Sequence, residues 1–125
     1  MITHPRTEEL VESVIGWIEQ IRPQLDPRNG FLSRVAANAL GAVGRELTLG
    51  PAAEARAGRL LADLLAHDGP LEELNAELCA RIRAGELDSD SPGLLAALHA
   101  MAMDQLAIDQ PSYKHEGLKP PPARG

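Results

Sequence analysis

The placement of the prolines constrains the fold of this chain more than any other feature of its sequence. The ten prolines are Pro5, Pro23, Pro27, Pro51, Pro70, Pro92, Pro111 and Pro120 to Pro122. Proline has no backbone N–H and is costly inside a helix, but it is tolerated in the first helical turn. The stretches between prolines are therefore the candidate helices, and each proline is a candidate start or break.

The composition favours helices over sheets. Leu and Ala dominate, β-branched residues are few, and the only aromatic residues are Trp17, Phe31 and Tyr113. Apolar residues recur at helical spacing in five intervals, so we predict an all-α fold of about five helices. The predicted helices run over about 7–21, 31–48, 51–67, 71–85 and 91–108.

Short connections favour an up-and-down bundle in one domain. The segment "LGP" at 49–51 supplies a glycine break and then a proline, so the second and third helices are expected to form an antiparallel hairpin. We predict a helical bundle domain over residues 1–113. Residues 114–125 contain a triple proline and no apolar period, and they are predicted to be a flexible, extended C-terminal tail.

Each predicted helix has an apolar stripe that is expected to face the core. In helix 1 the predicted stripe is Leu10, Val14, Ile18 and Ile21, with Trp17 alongside. In helix 2 the predicted arc is Phe31, Leu32, Val35, Ala36, Ala39, Leu40, Ala42, Val43 and Leu47. In the later helices the predicted inward residues include Leu61, Leu65, Leu71, Leu74, Leu78, Ile82, Leu94, Leu95, Leu98, Met101 and Ala102.

Net charge and cysteine content limit which kinds of partner and which cellular compartment can be expected. The formal net charge is -6, which opposes binding to nucleic acids and to anionic membranes. The longest apolar run, at 94–103, is about half the roughly 20 residues that cross a bilayer. Cys79 is the only cysteine. We expect a soluble, cytoplasmic protein that binds neither nucleic acid nor membrane.

Glu46 is the most informative residue in the pattern, because it lies near the middle of the apolar arc of helix 2. Arg34, Asn38 and Arg45 form a polar stripe along one flank of that arc. A buried carboxylate without a partner costs several kcal/mol, so a donor is expected. The candidate donors are Arg22, Arg59, Arg81 and Arg83. Glu46 then belongs to a buried ion pair that sets helix register, to a subunit interface, or to a ligand-binding or catalytic site.

Two positions in the last helix and the tail raise similar questions. Gln105 lies on the predicted inward face of the last helix and needs a polar partner there. Pro111 biases Gln110 towards an extended conformation, so the chain should leave the helix at this point. Tyr113 is then placed to dock its ring against the helices.

Familiar catalytic and metal-binding patterns are missing from the sequence. The four histidines lack the i, i+4 spacing of a zinc motif, and "DSDSPG" at 88–93 has Pro92 at a position where a calcium loop needs a ligand. There is no glycine-rich phosphate loop, nucleophile elbow or cysteine redox pair. We expect no cofactor and no metal.

Three segments together resemble a known family. They are "RVAANALGAVGREL" at 34–47, "LCARIRAGELD" at 78–88 and "DQLAIDQPSY" at 104–113. The family is an uncharacterised bacterial helical domain of unknown function, encoded beside or fused to kinases of the aminoglycoside-phosphotransferase type and near acyl-CoA dehydrogenase-like enzymes. The resemblance extends from helix 1 to Tyr113, and Gln110 stands where the family pattern has Asn. It implies an accessory role and no catalytic residues.

Three functions follow as hypotheses. The first is a non-enzymatic accessory or interaction domain that partners such a kinase or dehydrogenase-like protein, with homo-oligomerisation as a further option. The alternative is a helical bundle that binds a small ligand with Glu46, Asn38 and Gln105. The third is an enzyme that uses Glu46 or His99 as general acid or base.

Overall fold

The computed structural model describes residues 6–113, which fold into helices without strands, as the composition predicted. Four α-helices and one short 3-10 helix (Arg22–Gln24) follow one another within these residues. The α-helices are α1 (Thr7–Ile21), α2 (Pro27–Leu65), α3 (Leu71–Arg83) and α4 (Leu94–Asp109). The helices form two compact units, unit 1 (Met1–Pro51) and unit 2 (Ala52–Gly125). The predicted tail at 114–125 lies outside the described residues.

The predicted hairpin between the second and third helices is wrong, because both segments belong to the single helix α2. Pro51 lies inside this helix. The residue before a proline is normally pushed out of the helical region by a clash that involves its own Cβ. Here that residue is Gly50, which has no Cβ, so part of the clash is relieved. The Gly-Pro pair that signals a break therefore also allows the helix to continue, and residues 6–113 form four α-helices instead of the predicted five.

In unit 1, α1 lies against α2 through small residues. Gly44 of α2 lies so close to α1 that a Cβ added to it would be 3.5 Å from Val11 Cγ1. Just after α1, Arg22 Nε donates a hydrogen bond of 2.8 Å to Ser33 Oγ of α2. Ile18 of α1 and Ala37 of α2 are buried. Gly44 and Ala37 have little or no side chain, so the backbones can approach closely.

The apolar faces that were predicted to be buried in unit 1 are largely exposed, which corrects the prediction. On α1, Ile18 is buried as expected, but Leu10, Val14 and Trp17 are exposed. On α2, the arc with Glu46 at its middle is the exposed side. The apolar surface of α1 is wider than the contact that it makes, and α2 has a face of small residues besides its apolar arc, so periodicity cannot identify which part of either helix is covered. The side of α2 with the smaller residues is the side that lies against α1.

Unit 2 has the core that the sequence predicted. Leu61 and Leu65 of α2, Leu74 and Leu78 of α3, and Leu94 of α4 form one buried cluster. The half-buried side chains packed against this cluster are Ala62, Leu64, Leu71, Leu87, Leu98 and Met101. Most of the leucines were correctly assigned inward, but the assignment was wrong for Ile82, Leu95 and Ala102, which are exposed.

Backbone conformation accounts for the helix ends of unit 2. Gly93, at the start of α4, has a φ of 85°, a left-handed conformation that glycine adopts without strain. Ala66, directly after α2, has a φ of 64°. At the other end of α4, Gln110 has φ -144° and ψ 71°, so the chain leaves the helix before Pro111 as predicted.

Candidate functional site: an exposed apolar surface on unit 1

Unit 1 exposes an unusual number of large apolar side chains. They are Leu10, Val14, Trp17, Phe31, Leu32, Val35, Val43, Leu47 and Leu49. Isolated exposed apolar residues are ordinary on protein surfaces, whereas extended apolar patches mark sites of interaction. This set falls on the two helices α1 and α2.

The α1 stripe consists of Leu10, Val14 and Trp17. These residues follow one another at i, i+4 and i+7, so they lie on one face of α1. Trp17 is 59% exposed and is the only tryptophan in the chain. Buried Ile18 and half-buried Val11 and Ile15 lie directly beside this stripe, since Val14 and Ile18 are four residues apart. The α1 stripe is therefore the exposed edge of a broad apolar surface whose other edge packs within unit 1.

The α2 seam consists of Arg28, Leu32, Val35, Ala39, Ala42 and Glu46. Its members are separated alternately by four and three residues, which places them along one face of α2. Ala42 is half-buried and the others are exposed. The seam therefore has an apolar middle, a guanidinium at one end and a carboxylate at the other.

The prediction of a buried ion pair at Glu46 is wrong. Glu46 is exposed, and among residues 6–113 no polar or charged side chain is buried. Two of the predicted donors have other partners. Arg22 binds both carboxylate oxygens of Glu19, at 2.7 and 2.8 Å, and Arg81 Nη2 lies 2.9 Å from Glu77 Oε2. No ion pair of Glu46 occurs within the described part of the chain.

The remaining predicted site residues do not form a buried polar cluster. Arg34 and Asn38 are exposed, and Arg45 is half-buried. Gln105 is also exposed instead of facing the core, and its amide donates to Asp109 Oδ2 over 3.0 Å one turn along α4. His99 is half-buried in unit 2, whereas Glu46 is exposed in unit 1.

Unit 1 also contains a cleft of about 330 Å³. The lining residues are Glu8, Val11, Glu12, Ile15, Gly41, Gly44, Arg45, Thr48 and Leu49. Glu46 and Asn38 are not among them, so this cleft is not the polar pocket that the ligand-binding hypothesis required. Arg45 is the one predicted site residue that lines it.

Two further features are absent from residues 6–113. Over that range no helix is both long and apolar enough to cross a membrane. The same residues contain no group of three or more His, Cys, Asp or Glu side chains that could hold a metal ion.

Pro111 and Tyr113 are both exposed at the end of the described chain. The backbone N–H of Tyr113 donates to the Gln110 carbonyl over 3.0 Å and closes a turn. Tyr113 is 50% exposed, and docking of its ring against the helices stays a prediction.

A comparison with protein families identifies the family to which most of the chain is similar. The model of a domain of unknown function, DUF6285, matches residues 23–113. The chain belongs to the DUF6285 family. The predicted resemblance to an uncharacterised family is thus confirmed, although the match begins after α1 instead of including it. No curated protein and no solved structure matches the chain.

Unit 2 of this DUF6285 protein carries a polar cluster that the sequence analysis did not predict. His67 Nε2 lies 2.7 Å from Glu77 Oε1, and His67 Nδ1 lies 3.1 Å from the Asp68 carbonyl oxygen. Arg81 contacts the other carboxylate oxygen of Glu77. His67 and Glu77 are ten residues apart on either side of a loop, so helical spacing in the sequence does not predict their contact.

The surroundings of His67 raise its pKa above the ordinary 6.5. The Asp68 carbonyl is the largest cause, followed by the hydrogen bond and the charge of Glu77, while the charge of Arg81 opposes them. The folded DUF6285 domain therefore holds this proton more tightly than the unfolded chain does. Protonated His67 stabilises the fold fully below the unfolded pKa, and this contribution is lost as pH rises through the higher folded pKa.

We therefore expect His67→Gln to destabilise the DUF6285 domain at about pH 5.5 and to have much less effect at about pH 8.5. Urea unfolding of both proteins at the two pH values measures the difference. An NMR titration should place the pKa of His67 above its ordinary value, and Glu77→Gln should lower it. A destabilisation that is equal at both pH values would contradict this assignment.

Proposed function

We propose that this protein is a non-enzymatic accessory domain that binds another protein through the α1 stripe. The observation that supports this proposal is the exposure of Leu10, Val14 and Trp17 on one face of α1. Leaving three large apolar side chains in water on one helix face is unfavourable, and a partner that covers them recovers that free energy.

The spacing of the α1 stripe suits one recognition mode. Amphipathic helices that bind in hydrophobic grooves use anchors at i, i+4 and i+7. Tryptophan is enriched among the residues that contribute most to binding, because it buries a large area with few rotatable bonds. Trp17 is therefore expected to be the principal anchor.

The partner that we propose is a kinase of the aminoglycoside-phosphotransferase type with an apolar groove for α1. Support comes from the resemblance, which implies such kinases as genomic neighbours or fusion partners. An acyl-CoA dehydrogenase-like protein is the second partner of that neighbourhood and forms the other arm of the test. The position of Glu46 agrees with binding rather than catalysis, because it lies among exposed apolar side chains of a helix face.

Titration of the full-length protein into the purified neighbouring kinase, and separately into the dehydrogenase-like protein, tests the proposal. We expect micromolar or tighter binding to the kinase, and Trp17→Ala should weaken it by at least about tenfold, the effect of losing one hot-spot side chain. Tyr113→Ala is the matched control, because it removes an exposed aromatic ring from unit 2. It should leave the affinity unchanged.

Trp17 offers a direct readout of where the partner binds. Since it is the only tryptophan, fluorotryptophan labelling yields a single fluorine NMR signal. This signal should shift when the kinase is added. Binding to the dehydrogenase-like protein alone would replace the proposed partner, and absence of binding to both proteins would overturn the proposed function.

A further inference from the structure

The α2 seam has a feature that the proposed function does not use, because its two charged ends are complementary. Arg28 lies at the N-terminal end of the seam and Glu46 at the C-terminal end, about 27 Å apart at 1.5 Å per residue. Within residues 6–113 neither side chain forms an ion pair, and both are exposed. The four seam positions between these two charged residues are Leu32, Val35, Ala39 and Ala42.

We propose that the α2 seam pairs antiparallel with the α2 seam of a second copy of this chain. In this arrangement a two-fold axis passes α2 at the level of Ala37, and Glu46 of each copy lies opposite Arg28 of the other. The carboxylate in the apolar arc is then explained as an interchain partner of a guanidinium.

The side-chain sizes along the seam fit the same register. Two antiparallel helices related by this axis place Leu32 opposite Ala42 and Val35 opposite Ala39, and each pairing occurs twice. A large residue therefore meets a small one at every apolar level, so the helices can approach closely without a void or a clash. The charged pairs close the two ends of the apolar stretch.

Other arrangements of two seams are less favourable. A parallel pair places Glu46 opposite Glu46 and Arg28 opposite Arg28, and like charges across an interface cost several kcal/mol. An antiparallel pair shifted by one heptad places Glu46 opposite Val35, or Arg28 opposite Ala39. Of these arrangements, only the proposed register places opposite charges together and apolar residues opposite apolar residues.

The area of the surface is sufficient for a dimer. Besides the seam, Phe31, Val43 and Leu47 expose apolar side chains on α2. With Leu32 and Val35, these residues expose on the order of 400 Å² of apolar surface, and specific interfaces take upwards of about 600 Å² from each partner, roughly 60% of it apolar. A second copy that also covers the alanines and the charged ends of the seam therefore reaches the area of a specific interface.

Sedimentation equilibrium of the full-length protein tests the proposal. We expect a reversible dimer for the wild type. Arg28→Glu and Glu46→Arg should each weaken dimerisation by at least about tenfold, because each variant faces like charges at both ends of the seam. Arg34→Glu makes the same change of charge at an exposed position of α2 that is off the seam, and it should leave the dimer intact. Circular dichroism should show unchanged helicity in all variants.

Mixing the two single variants supplies the decisive measurement. A chain with Arg28→Glu and a chain with Glu46→Arg satisfy both charge pairs when they associate with each other. We therefore expect the equimolar mixture, and the double variant with both changes, to dimerise as strongly as the wild type. A monomeric wild type at hundreds of micromolar would overturn the proposal. A dimer that the single changes leave intact, or that mixing does not restore, would overturn it as well.

Discussion

Replacing Leu61 with alanine should lower the free energy of unfolding by about 2–5 kcal/mol. Leu61 is 0% exposed and lies in the buried cluster of unit 2 beside Leu65, Leu74, Leu78 and Leu94. Alanine removes three buried carbon atoms and leaves a cavity that the surrounding leucines from three helices can fill only in part. Chemical unfolding followed by circular dichroism measures the loss.

Leu95→Ala is the matched control for Leu61→Ala. Leu95 lies in the same unit, on α4 next to buried Leu94, but it is 39% exposed. The same deletion of atoms should therefore cost clearly less there, because solvent and mobile neighbours already surround part of the side chain. Equal losses for the two variants would mean that Leu61 is not in the core of unit 2.

Replacing Pro51 with alanine should raise the free energy of unfolding by up to about 3 kcal/mol, the cost of a proline in a helix interior relative to alanine. Pro51 lies inside α2 and is exposed, so alanine meets no obstacle there. Alanine restores the backbone N–H that can donate to the carbonyl of Leu47, and it removes the clash of the proline ring with that carbonyl. Urea unfolding detects the gain as a higher midpoint.

Pro27→Ala distinguishes this effect from a general effect of removing proline. Pro27 is the first residue of α2, where the missing N–H has no intrahelical partner in any case. That variant should be neutral or slightly destabilised. If Pro51→Ala were also neutral or destabilised, Pro51 would behave as the start of a separate helix, and the continuous α2 would be wrong.

Local rules of helix formation made much of this architecture readable from the sequence. The ends of α1 and the end of α4 before Pro111 were placed correctly, because proline geometry acts within one or two residues. The core leucines of α3 were also placed correctly. In α3 the apolar residues recur along one face, so periodicity was enough to identify the inward leucines, whereas apolar residues surround α4, and Leu95 and Ala102 were wrongly assigned inward.

The Gly50-Pro51 step shows where a local rule is ambiguous. Glycine before proline is a frequent break, but the missing Cβ also removes part of the clash that would drive the chain out of the helix. The local free energies of a broken helix and a continuous helix differ by only about 3 kcal/mol. Packing of the flanking turns, which the sequence pattern does not report, decides between them.

The sequence by itself determined the helical class, most helix boundaries and most of the leucine core of unit 2, since these depend on backbone sterics and on apolar periodicity. Only the tertiary structure decided which face of α1 and α2 is covered. The apolar surface of α1 is wider than its contact, α2 has a face of small residues besides its apolar arc, and the choice depends on where the backbones can approach, here at Ala37 and Gly44. For this reason Glu46 lies in an exposed seam instead of a buried ion pair.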